Sequence, residues 1–282
     1  MKIDRRGLTR KKKSDVPMPR KVELSSSSPQ ATAHLHGRRQ WILGTALALG
    51  SLALGRDARG QDARPGAGRR ILILGDSMIA GAFGLFLERA LQEKHGHVVT
   101  RHGKSSTGLA RPDFYDWQVV GPAKAKTSPA DAVVVMFGGN DAQALRMGTT
   151  KNAGWIHWGE ENWESEYRQR IRSLCDAIAP APVQIYWVGM PVMRPEKLNA
   201  RVQLLNQIYR SEMALRSNAA FIDIWDLLAD EDGNYSHRLQ IGDMRKKTTL
   251  RAGDGVHLTV AGAHYLADTV APIIDRGLSS GI

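Results

Sequence analysis

Short runs of consecutive apolar residues alternate, along residues 70–282, with stretches of helical periodicity. Ile71-Leu72-Ile73-Leu74 runs into Gly75, and Val133-Val134-Val135-Met136 runs through Phe137 into Gly138-Gly139. A strand with one face in water alternates apolar and polar residues, so unbroken runs of this kind mark strands covered on both faces. Residues 97–101, 183–188 and 221–225 supply three more, making five. Ile79, Phe83, Phe86, Leu87, Ala90 and Leu91 share one face of a helix over 78–94. Tyr167, Ile171, Leu174 and Ile178 do the same over 163–179, and further helices fit 196–217 and 259–275. Strand–helix alternation predicts parallel strands joined by crossovers, hence α/β: a single three-layer α/β/α domain over 70–282 with a central five-stranded parallel sheet.

Ligands of such sheets sit beyond the carboxyl ends of the strands, and the polar clusters of this chain fall there. Ser77 follows the first strand at a helix start, where its hydroxyl is presented at the sheet edge and its N–H lies at a positive terminus. That placement suits a nucleophile, and it equally suits a helix cap. Asp254 and His257 are three residues apart before the last helix. The carboxylate can orient the imidazole toward a serine, or the pair can simply shape a turn. Asn140, after two glycines, can donate to an oxyanion or support a turn. Gly108, in Ser105-Ser106-Thr107-Gly108-Leu109, lets a main-chain N–H approach a reacting carbonyl, or is a plain loop glycine.

Taken in order, Gly75-Asp76-Ser77, Gly108, Gly138-Gly139-Asn140-Asp141 and Asp254-Gly255-Val256-His257 resemble the four blocks of the SGNH (GDSL-type) hydrolase superfamily, over about residues 70–276. The resemblance implies an SGNH/flavodoxin-like sheet and a serine esterase without metal or cofactor. Ser77 would be its nucleophile, His257 its base and Asp254 the residue orienting the base. Ser77, Gly108 and Asn140 would form the oxyanion hole, with Gly103 as the alternative glycine. The stretches 108–117, 187–191 and 250–257 are similar to an exported bacterial branch filed as a domain of unknown function, akin to enzymes handling O-acyl groups on cell-envelope or secreted polysaccharides. Candidate substrate contacts are Asp76, Arg111, Asp113, Trp117, Trp155 and Trp158. Trp155, His157, Trp158 and Trp163 would form either a sugar-stacking wall or a loop pinned by buried rings.

Several other readings are set aside. Gly103-Lys104-Ser105 lacks the glycine a phosphate loop requires five residues earlier, since position 98 is Val. No Gly-x-Ser-x-Gly elbow surrounds Ser77. His95-Gly96-His97 has no further metal ligands beside it in sequence, and Arg245-Lys246-Lys247 reads as a solvated loop. Cys175 is the only cysteine, which rules out an intrachain disulfide and a cysteine-based zinc site.

The formal net charge of +11 is confined to the first seventy residues, where 16 Lys+Arg face 5 Asp+Glu; the remaining 23 basic and 23 acidic residues balance. A neutral body has no overall attraction for nucleic acid. Residues 1–37 read as a disordered basic extension, with Met18 as an alternative start. Arg38-Arg39 precede an uncharged run from Trp41 to Gly55, 15 residues long and short of the ~20 a spanning helix needs. Residues 38–60 thus resemble a twin-arginine export signal, with a Sec signal or a retained anchor as alternatives, and 61–69 a linker. The expected protein is a periplasmic or secreted serine esterase acting on acyl, chiefly O-acetyl, esters of a carbohydrate. A polysaccharide O-acyltransferase with the same triad and a non-catalytic polysaccharide-binding protein are the alternatives.

Overall fold

The computed structural model describes residues 68–242 and 246–282. The basic extension, the export signal, the linker as far as residue 67 and Arg245 lie outside the described residues.

Five strands form one parallel sheet: β1 (Arg70–Gly75), β2 (Val98–Gly103), β3 (Ala132–Met136), β6 (Gln184–Val188) and β7 (Ala219–Ile222), in the order β2-β1-β3-β6-β7. All neighbours are parallel. Every residue of β3, and every residue of β1 after Arg70, is buried, as the unbroken apolar runs require. Helices α1 (Ser77–Ala80), α2 (Ala82–Arg89) and α6 (Val260–Ser280) pack together, as do α3 (Trp117–Thr127), α4 (Trp163–Ile178) and α5 (Glu196–Ala214). Two short antiparallel ladders, β4 (Leu145–Arg146) with β5 (Trp155–Ile156) and β8 (Arg238–Leu239) with β9 (Thr248–Thr249), decorate the loops. Among the described residues no helix is long and apolar enough to cross a membrane.

Register places the site. Gly75 pairs with Gly103 on one side and Met136 on the other, so β1, β2 and β3 end level. The chain leaves β1 toward β2 and later returns to the other side of β1 for β3. The loops after these strands therefore part at the crevice where parallel sheets bind ligands.

Apart from small shifts at the ends of β2 and α5, the structure departs from the periodicity in four places. The helix expected over 78–94 breaks at Gly81, whose backbone is extended, and closes in a π turn at Ala90–Lys94. The two helical pieces meet so closely that a methyl on Gly84 would overlap the Ile79 carbonyl. Helix α3 was not anticipated: Pro122 interrupts its pattern, and only Trp117 and Gly121 are buried. Its legible signal was Asp116, whose carboxylate caps it by accepting from the Gln118 N–H at 2.9 Å. The fifth strand lies at Ala219–Ile222 rather than 221–225, because Asp223 accepts from the Trp225 N–H at 3.0 Å and turns the chain. Finally, α6 continues beyond residue 275 to bury Leu278, and Gly281 ends it at φ 72°.

Candidate active site

Ser77 is the first residue of α1, directly beyond β1. Its Oγ lies 2.9 Å from His257 Nε2, and His257 Nδ1 lies 2.6 Å from Asp254 Oδ2. The Asp254 turn is built for this contact. Its other oxygen accepts from the main-chain N–H of Val256 at 2.8 Å and of His257 at 2.9 Å, and Gly255 takes the positive φ of 74° that closes the turn. Partial burial alone would raise the Asp254 pKa. The imidazole hydrogen bond and the two N–H groups outweigh it and bring the carboxyl down to about 2. Asp254 is therefore ionised near neutral pH, and an ionised carboxylate accepts from an Nδ1–H, which leaves the Nε2 lone pair of a neutral imidazole toward Ser77.

The β2–α3 loop brings Gly108 alongside. Among the described residues, the main-chain N–H groups of Ser77 and Gly108 have no acceptor. Asn140 donates one amide hydrogen to the Thr107 carbonyl at 3.0 Å, which leaves its second hydrogen available. Gly103, the alternative glycine, packs against Ala80 instead, where a methyl would overlap the Ala80 nitrogen.

The loop carrying Gly108 is gripped from several sides. Asp141 is fully buried and accepts from the Ala110 N–H at 2.8 Å and the Tyr167 hydroxyl at 2.7 Å. Tyr167 lies 2.8 Å from the Tyr209 hydroxyl. Arg170 donates to the carbonyls of Leu109 at 2.8 Å and Arg146 at 2.7 Å. Burial raises the pKa of Asp141 against the pull of these donors. Burial also carries Asp76 up to about 7, opposed by the Met78 N–H and reinforced by the Asp141 charge.

Sequence reading assigned no role to Asp141, Arg170 or Arg251. Arg170 was nonetheless visible as an arginine on the apolar face of α4, beside Tyr167, Ile171 and Leu174. Arg251 is wholly buried and donates to the carbonyls of Val192 and Val256, behind the His257 turn.

Two of the candidate substrate contacts are corrected. Asp76 is buried and caps α1, accepting from the Met78 N–H at 2.9 Å. Trp117 is 1% exposed, and its indole donates to Thr107 Oγ1 at 2.9 Å, bracing the loop from within. Arg111 and Asp113 form a two-pronged ion pair, both bonds 2.8 Å. Trp155 is 42% exposed, with the guanidiniums of Arg111 and Arg146 at 5.0 and 4.9 Å from its ring centre. Trp158 is half-buried against the buried Trp163, with Arg201 over its ring. The tryptophans are thus largely pins for the loop, with Trp155 alone strongly exposed. A hollow of about 390 Å³ borders Gly108 on the side of α3 and α4, and neither Ser77 nor His257 lines it.

The sheet order β2-β1-β3-β6-β7 is the flavodoxin-like order of an open parallel α/β fold, with the candidate site beyond the ends of β1, β2 and β3. The chain belongs to the family described as "Protein of unknown function (DUF459)", which matches residues 70–273. No curated protein sequence matches it. Among solved structures, it is similar to an acetylxylan esterase from Geobacillus stearothermophilus, studied as a catalytic mutant, at 18% identity over 75% of this chain and 95% of that one, with a TM-score of 0.50. An alpha/beta hydrolase enzyme from the metagenome of Lake Arreo, Spain, aligns at 17% identity over 75% and 96% of the two chains, TM-score 0.52. A protein described as lipolytic and of the G-D-S-L family, from Desulfitobacterium hafniense, aligns at 13% identity over 72% and 98%, TM-score 0.52. These are likenesses of fold.

Proposed function

We propose that the chain is an exported serine esterase that removes acyl groups, chiefly O-acetyl, from a carbohydrate. The observation that carries this reading is the continuous contact from Ser77 Oγ to His257 Nε2 and from His257 Nδ1 to Asp254, set at the carboxyl edge of the sheet beside unengaged N–H donors. Ser77 Oγ attacks the ester carbonyl carbon while His257 Nε2 takes its proton. The carbonyl oxygen becomes an oxyanion, received by the N–H groups of Ser77 and Gly108 and the free hydrogen of Asn140. The tetrahedral centre collapses, the C–O bond to the alcohol breaks, and the imidazolium returns its proton to the leaving oxygen. Water, deprotonated by His257, then attacks the acyl-serine; the bond from the acyl carbon to Ser77 Oγ breaks, the imidazolium returns its proton to Oγ, and the acid leaves. Asp254 stays ionised and stabilises the imidazolium in both steps.

The carbohydrate part of the reading draws support from the acetylxylan esterase likeness, and the export part from the Arg38-Arg39 segment. The testing experiment pairs active-site labelling with product analysis. An alkyl fluorophosphonate should add to Ser77 stoichiometrically, and the full chain should release acetate from aryl acetates and from acetylated oligosaccharides. An unlabelled Ser77, with no acid released from any ester, would overturn the reading.

A further inference from the structure

The base of the candidate triad stands on an open turn. The side chains of Asp254 and His257 are 49% and 45% exposed, so burial does little to hold them. Among the described residues, the main chain of residues 253–257 is hydrogen-bonded to the fold beyond residues 250–259 through two arginines only. Arg194, in the loop after β6, donates from its guanidinium to the Gly253 carbonyl at 2.7 Å and from its main-chain N–H to the Gly255 carbonyl at 3.0 Å. It packs so closely over Gly255 that a methyl there would overlap its Cβ. Arg251 reaches in the opposite direction. One arm of its guanidinium donates to the Val192 carbonyl at 2.5 Å and the other to the Val256 carbonyl at 3.0 Å. Each segment thus sends an arginine to the other. The loop after β6 is itself fixed to α5. Asn206 accepts from the Met190 N–H and donates to the Met190 carbonyl, both at 2.8 Å, and Asn199 accepts from the Met193 N–H at 2.8 Å.

A residue that only filled space behind the turn would not be an arginine. Arg251 is wholly buried, makes no ion pair with a carboxylate among the described residues, and leaves its Nε without a partner. Burial draws its pKa down to about 10, so it still carries its charge at neutral pH. An unpaired buried cation costs stability, and an apolar side chain would avoid that cost. What the guanidinium alone supplies is a rigid planar fork that spans two carbonyls at once. One of those carbonyls belongs to the residue before His257.

We propose that Arg251 and Arg194 are positioning residues for the general base, clasping the Asp254–His257 turn so that the imidazole stays between Ser77 and the leaving oxygen. This rests on the esterase reading. The step most exposed to a loose turn is the return of the proton from His257 Nε2 to the leaving oxygen as its bond to the acyl carbon breaks. An imidazolium that drifts fails most on a poor leaving group, because an alkoxide departs badly without that proton whereas a nitrophenolate does not need it.

The test measures kcat/KM of the full chain on nitrophenyl, phenyl and alkyl acetates. Arg251→Lys can reach only one carbonyl at a time. Its kcat/KM should fall about tenfold on the nitrophenyl ester and about a hundredfold on the alkyl ester, which steepens the dependence on the leaving group. Arg251→Met should steepen it further. Arg194→Ala keeps the main-chain bond to Gly255 and changes an exposed side chain, so it should fold and show the same steepening severalfold, even if an Arg251 variant does not fold. Loss of folded protein lowers all three rates by one factor. An unchanged slope in the variants that fold would therefore make the clasp structural only and overturn the proposal. Amide hydrogen exchange reads the seating of the turn without turnover. The Val256 and His257 amides, which donate to Asp254, should exchange faster in Arg251→Lys and Arg194→Ala while the α5 amides keep their protection. A wild type that cleaves no ester would sink the esterase reading. The clasp is then judged by exchange alone, and unchanged rates at Val256 and His257 would sink it too.

Discussion

The carboxylate of Asp141 fills the space that a Cβ on Gly108 would need. The contact links two loops, because Asp141 follows Asn140 after β3 while Gly108 belongs to the loop after β2. It also distinguishes Gly108 from Gly103. Gly108→Ala should drive the carboxylate back, loosen its 2.8 Å bond to the Ala110 N–H, and shift the Gly108 N–H from the oxyanion. The expected result is a fall in kcat on an aryl acetate of about 10²–10³-fold, the cost of losing one such donor, in a protein that still folds. Gly103→Ala places its methyl against the Ala80 main-chain nitrogen, which cannot rotate away, so the expected loss there is of soluble, folded protein. Steady-state kinetics with thermal melts of both variants separate the two outcomes. Equal activity in Gly108→Ala and wild type would remove Gly108 from the mechanism.

Ser77 and His257 should behave as one unit. Ser77→Ala removes a hydroxyl that bonds only to the imidazole, so the fold should be kept and turnover lost by about 10³-fold or more. His257→Ala should cost a similar factor, and the double variant little beyond either single one, because neither group works without the other. Additive losses, measured as kcat/KM across the four proteins, would mean that the two residues act separately.

Much of this arrangement was legible in the residues. The apolar runs of β1 and β3 announce strands buried on both faces, and the serine, asparagine and histidine blocks sit where a parallel sheet presents its ligand edge. Trp117 and Asp76 misled, because residue type and position beside the site say nothing of which way a side chain turns. The indole went inward to Thr107 and the carboxylate went to the α1 cap. Helix α3 was hidden by Pro122, and the supports of the site were hidden by distance in sequence: Arg170 holds a carbonyl 61 residues away. A pattern of spacing along the chain carries no information about partners of that kind.

Tyr167 tests how far the site depends on its supports. Its hydroxyl donates to Asp141 at 2.7 Å and lies 2.8 Å from that of Tyr209, all in a fully buried environment. Tyr167→Phe leaves the ring packing against Trp163 and deprives Asp141 of one donor. The expected cost is about 1–3 kcal/mol of stability, that of a buried polar group left unsatisfied, read from urea unfolding. A drop in kcat with KM unchanged should accompany it, since the loop held by Asp141 carries Gly108. Full stability and full activity would mean that Tyr209 alone satisfies the carboxylate.

Asp76 should make stability depend on pH in an unusual direction. Burial raises its pKa from 3.8 to about 7, so the folded protein holds a proton that the unfolded chain releases between about pH 4 and pH 7. Across that window the folded state binds more protons, and stability falls as pH rises, by up to about 1.4 kcal/mol per pH unit, then levels above about 7. Asp76→Asn retains a good cap for α1 and removes the titration. His97, whose pKa burial lowers, contributes a slope of opposite sign, but it does so in both proteins and drops out of their difference. The measurement is the unfolding free energy of wild type and Asp76→Asn, each from pH 5 to pH 8. The variant should gain on the wild type steadily up to about pH 7, then run parallel to it. Parallel curves over the whole range would mean that Asp76 is ionised throughout, and that the N–H groups around it outweigh its burial.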